Sequence, residues 1–162
     1  MNKSNFFSQT APSINIAALV ACIVGLISTF LAKVVEKATY LGQSVKDTTS
    51  IVSAYGIFII ALFVVTIVIL IVKKNNSALI VAVVNAIFCI FKLIQQLAYT
   101  SIGLSAEEKE IMDMITAAGG TYTMSVNFFF WLMVIGAVAA AVILLIPAFG
   151  AKKNNQTQMP QM

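Results

Sequence analysis

Uncharged apolar runs alternate with short polar intervals along this chain, and four of those runs have the length of a bilayer crossing. Residues 14–32, 51–72, 77–98 and 125–149 are the four. The first, 19 residues long, rises about 28 Å as a helix at 1.5 Å per residue, close to the ~30 Å of a hydrocarbon core. The second carries no charge over 22 residues and stops at Lys73-Lys74. The pattern predicts an all-α integral membrane protein, a four-transmembrane-helix bundle forming a single domain over residues 1–162, with polar tails at 1–12 and 152–162.

The third run holds the only charge inside any of them, Lys92. On a helix, Asn85, Cys89, Lys92 and Gln96 fall within about 60° of one another, while Ile80, Val83, Ile87, Ile90, Ile94 and Leu97 occupy the opposite side. That division predicts a lipid-facing side and a protein-facing polar stripe, which serves either as a helix-packing edge or as a polar cleft. A charge within a span raises the functional hypothesis by default. Lys92 lies nearer the outer boundary than the midplane, however, so its stem is able to carry the ammonium to the headgroups or to a partner such as Glu36.

The intervals set the connectivity. Lys73-Lys74-Asn75-Asn76 is too short for anything but antiparallel neighbours, so the second and third helices must pack side by side. Small residues at helical spacing mark the other seams: Ala18, Cys22, Gly25 and Ser28 or Thr29 in the first run, and Gly136, Ala137, Ala140 and Ala141 in the fourth. No helix breaker precedes Gly42, so the first helix is expected to run a turn or two past the bilayer, with Asp47, Thr48, Thr49 or Ser50 capping the second. Between the third and fourth runs, Ser105-Ala106-Glu107-Glu108 fits a capping box. Ile111, Met114, Ile115 and Ala118 then share one face and Gly119-Gly120 supplies a stop, predicting a short amphipathic extracytoplasmic helix over the bundle mouth or in the interface.

Composition sharpens this picture. The chain is 60% hydrophobic and 10% charged, far from soluble averages. Its net charge of +4 comes from ten lysines without a single arginine, and no clustered basic face suggests nucleic acid. Cytoplasmic termini put Lys3, Lys73, Lys74, Lys152 and Lys153 inside, against Lys33, Lys37, Lys46, Lys109 and all six acids outside. Twin lysines abutting two runs reinforce that orientation in the cell membrane. Leu19-Val20-Ala21-Cys22 resembles a lipobox, but the apolar run continues through the supposed cleavage site, so Cys22, like Cys89, reads as a buried apolar residue.

Catalytic ingredients are scarce. There is no histidine, no carboxylate within the runs, no Cys-x-x-Cys and no glycine-rich phosphate loop, so the chain reads as no enzyme and without cofactor or metal. It lacks the in-span carboxylate of small multidrug exporters and rotary proteolipids and the outer-loop cysteines of claudin-like and tetraspanin proteins. A claudin-like helix arrangement stays open as architecture only, which transmits no function. The expectation is a non-catalytic, multi-pass accessory, assembly or immunity-type protein, its partners being the lipid bilayer and another membrane protein or a second copy of itself. The alternative is a small transporter or channel component whose path is lined by the polar stripe of the third helix.

Overall fold

A helix twelve residues into the chain opens the fold, and four apolar helices in all make up most of it. The structure is a computed structural model and describes residues 12–97 and 106–154. Helix α1 (Pro12–Leu31) begins on a proline, whose fixed φ and missing N–H suit a first turn. Helices α2 (Gly56–Ile71), α3 (Asn75–Leu97) and α5 (Phe128–Asn154) complete the set. α1 packs on α2 and α5, and α3 packs on the same two, so the four close into a ring. Two of them, over Asn76–Leu97 and Phe128–Pro147, are long and apolar enough to cross a membrane, while Ile16–Leu31 and Gly56–Ile71 are shorter.

The α2–α3 connection is as tight as its sequence requires. The Lys74 N–H donates to the Ile69 carbonyl and the Lys73 N–H to that of Leu70, with Lys73 in the left-handed region at φ 57°. This is the paired closure that commonly ends a helix, with lysine where glycine is usual.

Small residues fill the seams. Ala18, Cys22, Ser28 and Thr29 of α1 are buried, as are Ala137, Ala140 and Ala141 of α5 and Ala78, Ala82 and Ala86 of α3. Gly25 and Gly136 approach closely: a Cβ on Gly136 would stand 2.8 Å from the Gly25 Cα. The Phe63 ring of α2 packs against Gly25. Two buried threonines are satisfied within their own helices: Thr29 donates to the Gly25 carbonyl at 2.8 Å and Thr66 to that of Leu62 at 2.7 Å.

The expected all-α class is incomplete, because a three-stranded antiparallel sheet stands at the end of the ring away from Lys73-Lys74. Strand β1 (Lys33–Tyr40) pairs with β2 (Gln43–Ser50) on one side and β3 (Thr121–Val126) on the other, in the order β2-β1-β3. α1 therefore stops at Leu31 instead of running on. Val34, Val35, Thr39 and Tyr40 favour extended backbone, and Leu41-Gly42, at φ 48° and 78°, makes the two-residue turn whose twist matches a hairpin.

Two other boundaries move for the same reason. Asp47, Thr48, Thr49 and Ser50, expected to cap a helix, lie in β2, where Asp47 Oδ1 accepts the Thr48 N–H at 2.7 Å. The run 51–72 is not one helix: Ile51–Ser53 form a 3-10 turn and α2 starts at Gly56, where a Cβ would meet the Ile51 carbonyl oxygen at 2.8 Å. Ser125 and Val126, assigned above to the fourth helix, close β3.

The short helix between the third and fourth runs is present as α4 (Ala106–Ala117). Its main neighbour is β3 rather than the ring mouth. Ile115 is half-buried near Gly120, whereas Ile111 and Met114 are exposed. The Ser105 cap and the polar tails before residue 12 and after residue 154 lie outside the described residues.

One residue fastens sheet to helices. Asn127, between β3 and α5, donates from Nδ2 to the Leu31 carbonyl at 2.8 Å, and its Oδ1 accepts the Lys33 and Phe130 N–H groups, each at 3.0 Å. It caps α5 while holding the α1–β1 junction. Asn127→Ala removes all three bonds and is expected to cost about 2–3 kcal/mol at ~1 kcal/mol per bond. Asn127→Asp keeps both accepted bonds and should cost less, so equal drops in thermal midpoint for the two variants would contradict the clasp.

Candidate functional site

The polar stripe of α3 divides into a deep part and a peripheral part. Asn85 and Cys89 point into the ring and are 1% and 0% exposed, with the Cys89 thiol donating weakly to Asn85 Oδ1 at 3.6 Å. The buried side chains of the ring also include Phe63, Phe130, Met133 and Ile59, all fully buried. Both cysteines are free and buried, and Cys22 sits mid-helix in α1.

Lys92 and Gln96 leave that line and join a cluster near the sheet end. The Lys92 ammonium donates to Gln95 Oε1 at 2.9 Å and stands 4.5 Å above the centre of the Tyr55 ring, with Phe88 at 5.8 Å and Phe91 at 6.0 Å. Three ring faces hold the cation by their quadrupoles, an attraction that strengthens when water is excluded. Beside them the Tyr55 hydroxyl and Gln96 Oε1 are sealed from solvent, and neither reaches a hydrogen bond of acceptable geometry, although Gln96 is close enough to influence that hydroxyl.

Pairing of Lys92 with Glu36 does not occur. Glu36 Oε2 instead accepts the Tyr122 hydroxyl at 2.7 Å, tying β1 to β3, and among the described residues Lys92 makes no ion pair. Of the four stripe residues, Asn85 and Cys89 are buried in the core and Lys92 and Gln96 are half-buried, with Cys89, Lys92 and Gln96 all near Tyr55.

Tyr55, Phe88 and Gln95 were not singled out from the sequence. Tyr55 carried a usable signal. It stands 18 residues before Lys73, and Lys92 stands 18 residues after Lys74. Two helices rising equally from one tight turn bring such positions to the same height.

The sheet sorts its charges by face. Register sets Lys37 opposite Lys46 and Glu36 opposite Asp47. Successive residues alternate faces, so both lysines share one side and both carboxylates the other. Like charges directly opposite one another are mildly destabilising, and the exposed lysine pair leaves the outer face cationic.

Among the described residues no three His, Cys, Asp or Glu side chains gather as metal ligands. Comparison with protein-family models, curated proteins and solved structures finds no match. The chemistry available is that of a lysine held by Gln95 and three aromatic rings beside a buried tyrosine hydroxyl and glutamine carbonyl.

Proposed function

We propose that the chain is a four-span protein of the cell membrane, with its termini cytoplasmic and its sheet and α4 outside. In this reading it acts as a non-catalytic accessory, assembly or immunity-type partner of another membrane protein. The observation that carries the proposal is the outward surface of the ring. Ile16, Val20 and Ile27 on α1, Val64 and Val68 on α2, Ile80 and Ile87 on α3 and Ile135 and Val142 on α5 are all exposed. Only 28% of the apolar window of α3 and 44% of that of α5 is buried. A soluble monomer rarely exposes an apolar patch beyond a few hundred Å², whereas lipid solvates such a belt at no cost.

The seams fit the same environment. Lipid gives little hydrophobic drive for helix association, so close contact of small residues must supply it. The burial of Asn85 and of large side chains such as Phe63 and Met133 in the ring favours a partner protein over a conduit, and the sheet and α4 supply a compact surface outside the lipid. Exposed Ile111 and Met114 and the lysine face of the sheet are the features available there.

Photo-crosslinking from Lys46 and from Met114 in intact membranes tests the role. Capture of one membrane protein at both positions, in stoichiometric yield, is the expected result. Solute flux through liposomes holding the purified chain alone, lost on substitution of Asn85, would overturn it in favour of a transporter or channel component.

A further inference from the structure

We infer that the tip of the β1–β2 hairpin, formed by Tyr40, Leu41 and Val45, is the docking point for an outside segment of a partner membrane protein, one that presents an apolar socket with a basic rim. The inference deepens the accessory reading proposed above and rests on it.

Leu41 is out of place twice over. Its φ of 48° lies in the left-handed region, where a side chain crowds the neighbouring carbonyl and glycine or asparagine is the usual occupant of such a turn. It is also 82% exposed, more than any other large apolar side chain among the described residues, and it stands apart from the helices that lipid would cover. Neither the turn nor burial accounts for a leucine there. A strained residue that nothing inside the fold rewards points to a role outside it.

The leucine has apolar company. Register pairs Tyr40 with Gln43 and Ala38 with Val45, so Tyr40 and Val45 are diagonal neighbours on one face of the hairpin, and both are exposed. It is β3, and not this hairpin, that packs on α3 and α4. Nearly all of β2 is exposed, so the tip is open to a partner.

The charges behind the tip decide between lipid and protein. Glu36 opposes Asp47 further down the face that carries Tyr40 and Val45, while Lys37 and Lys46 point the other way. Laying the apolar side on a membrane brings both carboxylates against the headgroups and turns the lysines away, the reverse of what anionic lipid attracts. The tip also ends about 23 Å along the strand from Lys33, at ~3.3 Å per residue. An apolar centre with an acidic flank fits a protein surface of the opposite pattern, an apolar pocket edged by Lys or Arg. Asp47 is exposed to such a rim, whereas Glu36 is held by Tyr122.

The test is photo-crosslinking in intact membranes from Gln43, on the tip's own face, read beside the thermal midpoint of the purified chain. Leu41→Asn should raise the midpoint by about 2–4 °C, because asparagine suits the turn, and lower capture of the partner about tenfold. Opposite signs separate a docking residue from a structural one. Val45→Thr should lower capture about threefold at an unchanged midpoint, and so should Asp47→Asn, which keeps an acceptor for the Thr48 N–H. Thr123→Ala, opposite Lys37 on the lysine side, should change neither reading. The captured peptide, once sequenced, should be apolar and flanked by Lys or Arg.

Capture unchanged by Leu41→Asn overturns the proposal, as does a fall in midpoint, which makes the leucine structural. Capture of the same chain identifies a self-association contact instead, and capture of lipid alone a membrane contact; either overturns it too. Capture from Lys46 and Met114 that ignores Leu41 and Val45 sinks the tip and leaves the accessory reading standing. No capture from Gln43, Lys46 or Met114 sinks both.

Discussion

Gly136→Leu is expected to leave no assembled protein. A Cβ at this position falls 2.8 Å from the Gly25 Cα and 2.9 Å from both the Ala21 carbonyl oxygen and the Gly25 nitrogen. All three are backbone atoms of α1, so no rotamer relieves the clash and α5 must move away from its largest neighbour. Overpacking a tight core typically costs about 1–3 kcal/mol for small additions. Gly136→Ala should therefore already lower the thermal midpoint, and leucine should abolish accumulation in the cell.

Gly25→Ala provides the control within the same seam. The added Cβ would run into the Phe63 ring, a side chain and not backbone. Shortening that side chain opens the space, so Phe63→Leu should partly rescue Gly25→Ala and leave Gly136→Ala unrescued. Rescue of both, or of neither, would contradict this account of the seam.

Ile87→Asp separates a lipid-solvated ring from a water-solvated one. Ile87 lies at the middle of α3, is 63% exposed and faces away from the seams. In water, replacing an exposed isoleucine by aspartate changes stability by about 0.5 kcal/mol at most. At a bilayer centre an aspartate is disfavoured by about 3 kcal/mol relative to apolar residues. The expected result is a large loss of membrane-inserted protein for Ile87→Asp. The same change at Val45, exposed on β2, should be tolerated. Equal tolerance at both positions would place α3 in water.

The ring was legible in the sequence because its signals are local and redundant. The four-residue link at Lys73–Asn76 fixed the α2–α3 pair, and small residues spaced three or four apart announced the α1 and α5 edges that meet at Gly25 and Gly136. The sheet was not legible. Residues 33–40 carry a charge on each face, at Glu36 and Lys37, so burial writes no period-two alternation into them. Nearly all of β2 is exposed, and an apolar count finds nothing there. Ser125 and Val126 merged with the apolar run that follows.

Asn127 could have been found. An asparagine directly before Phe128-Phe129-Phe130-Trp131 is a standard helix-start signal, hidden here because the uncharged run already begins at Ser125. Its second role, holding the Leu31–Lys33 junction 94 to 96 residues away, leaves no trace in local sequence. The division of the Asn85, Cys89, Lys92 and Gln96 stripe has a similar origin. Helical angle puts all four on one side, but height along the axis decides which neighbour each meets. Lys92 is high enough to meet Tyr55 beside the sheet, and Asn85 is not.

The most direct measurement is impermeant thiol labelling of intact cells, using single cysteines at Thr48, Thr123 and Asn76 in a chain whose Cys22 and Cys89 have been replaced by serine and alanine. Thr48 and Thr123 lie on the sheet and Asn76 at the α2–α3 turn, at opposite ends of the ring. Four crossings with the sheet outside predict labelling at Thr48 and Thr123, and at Asn76 only after the cells are broken. Labelling of all three in intact cells, or of none until lysis, would contradict it.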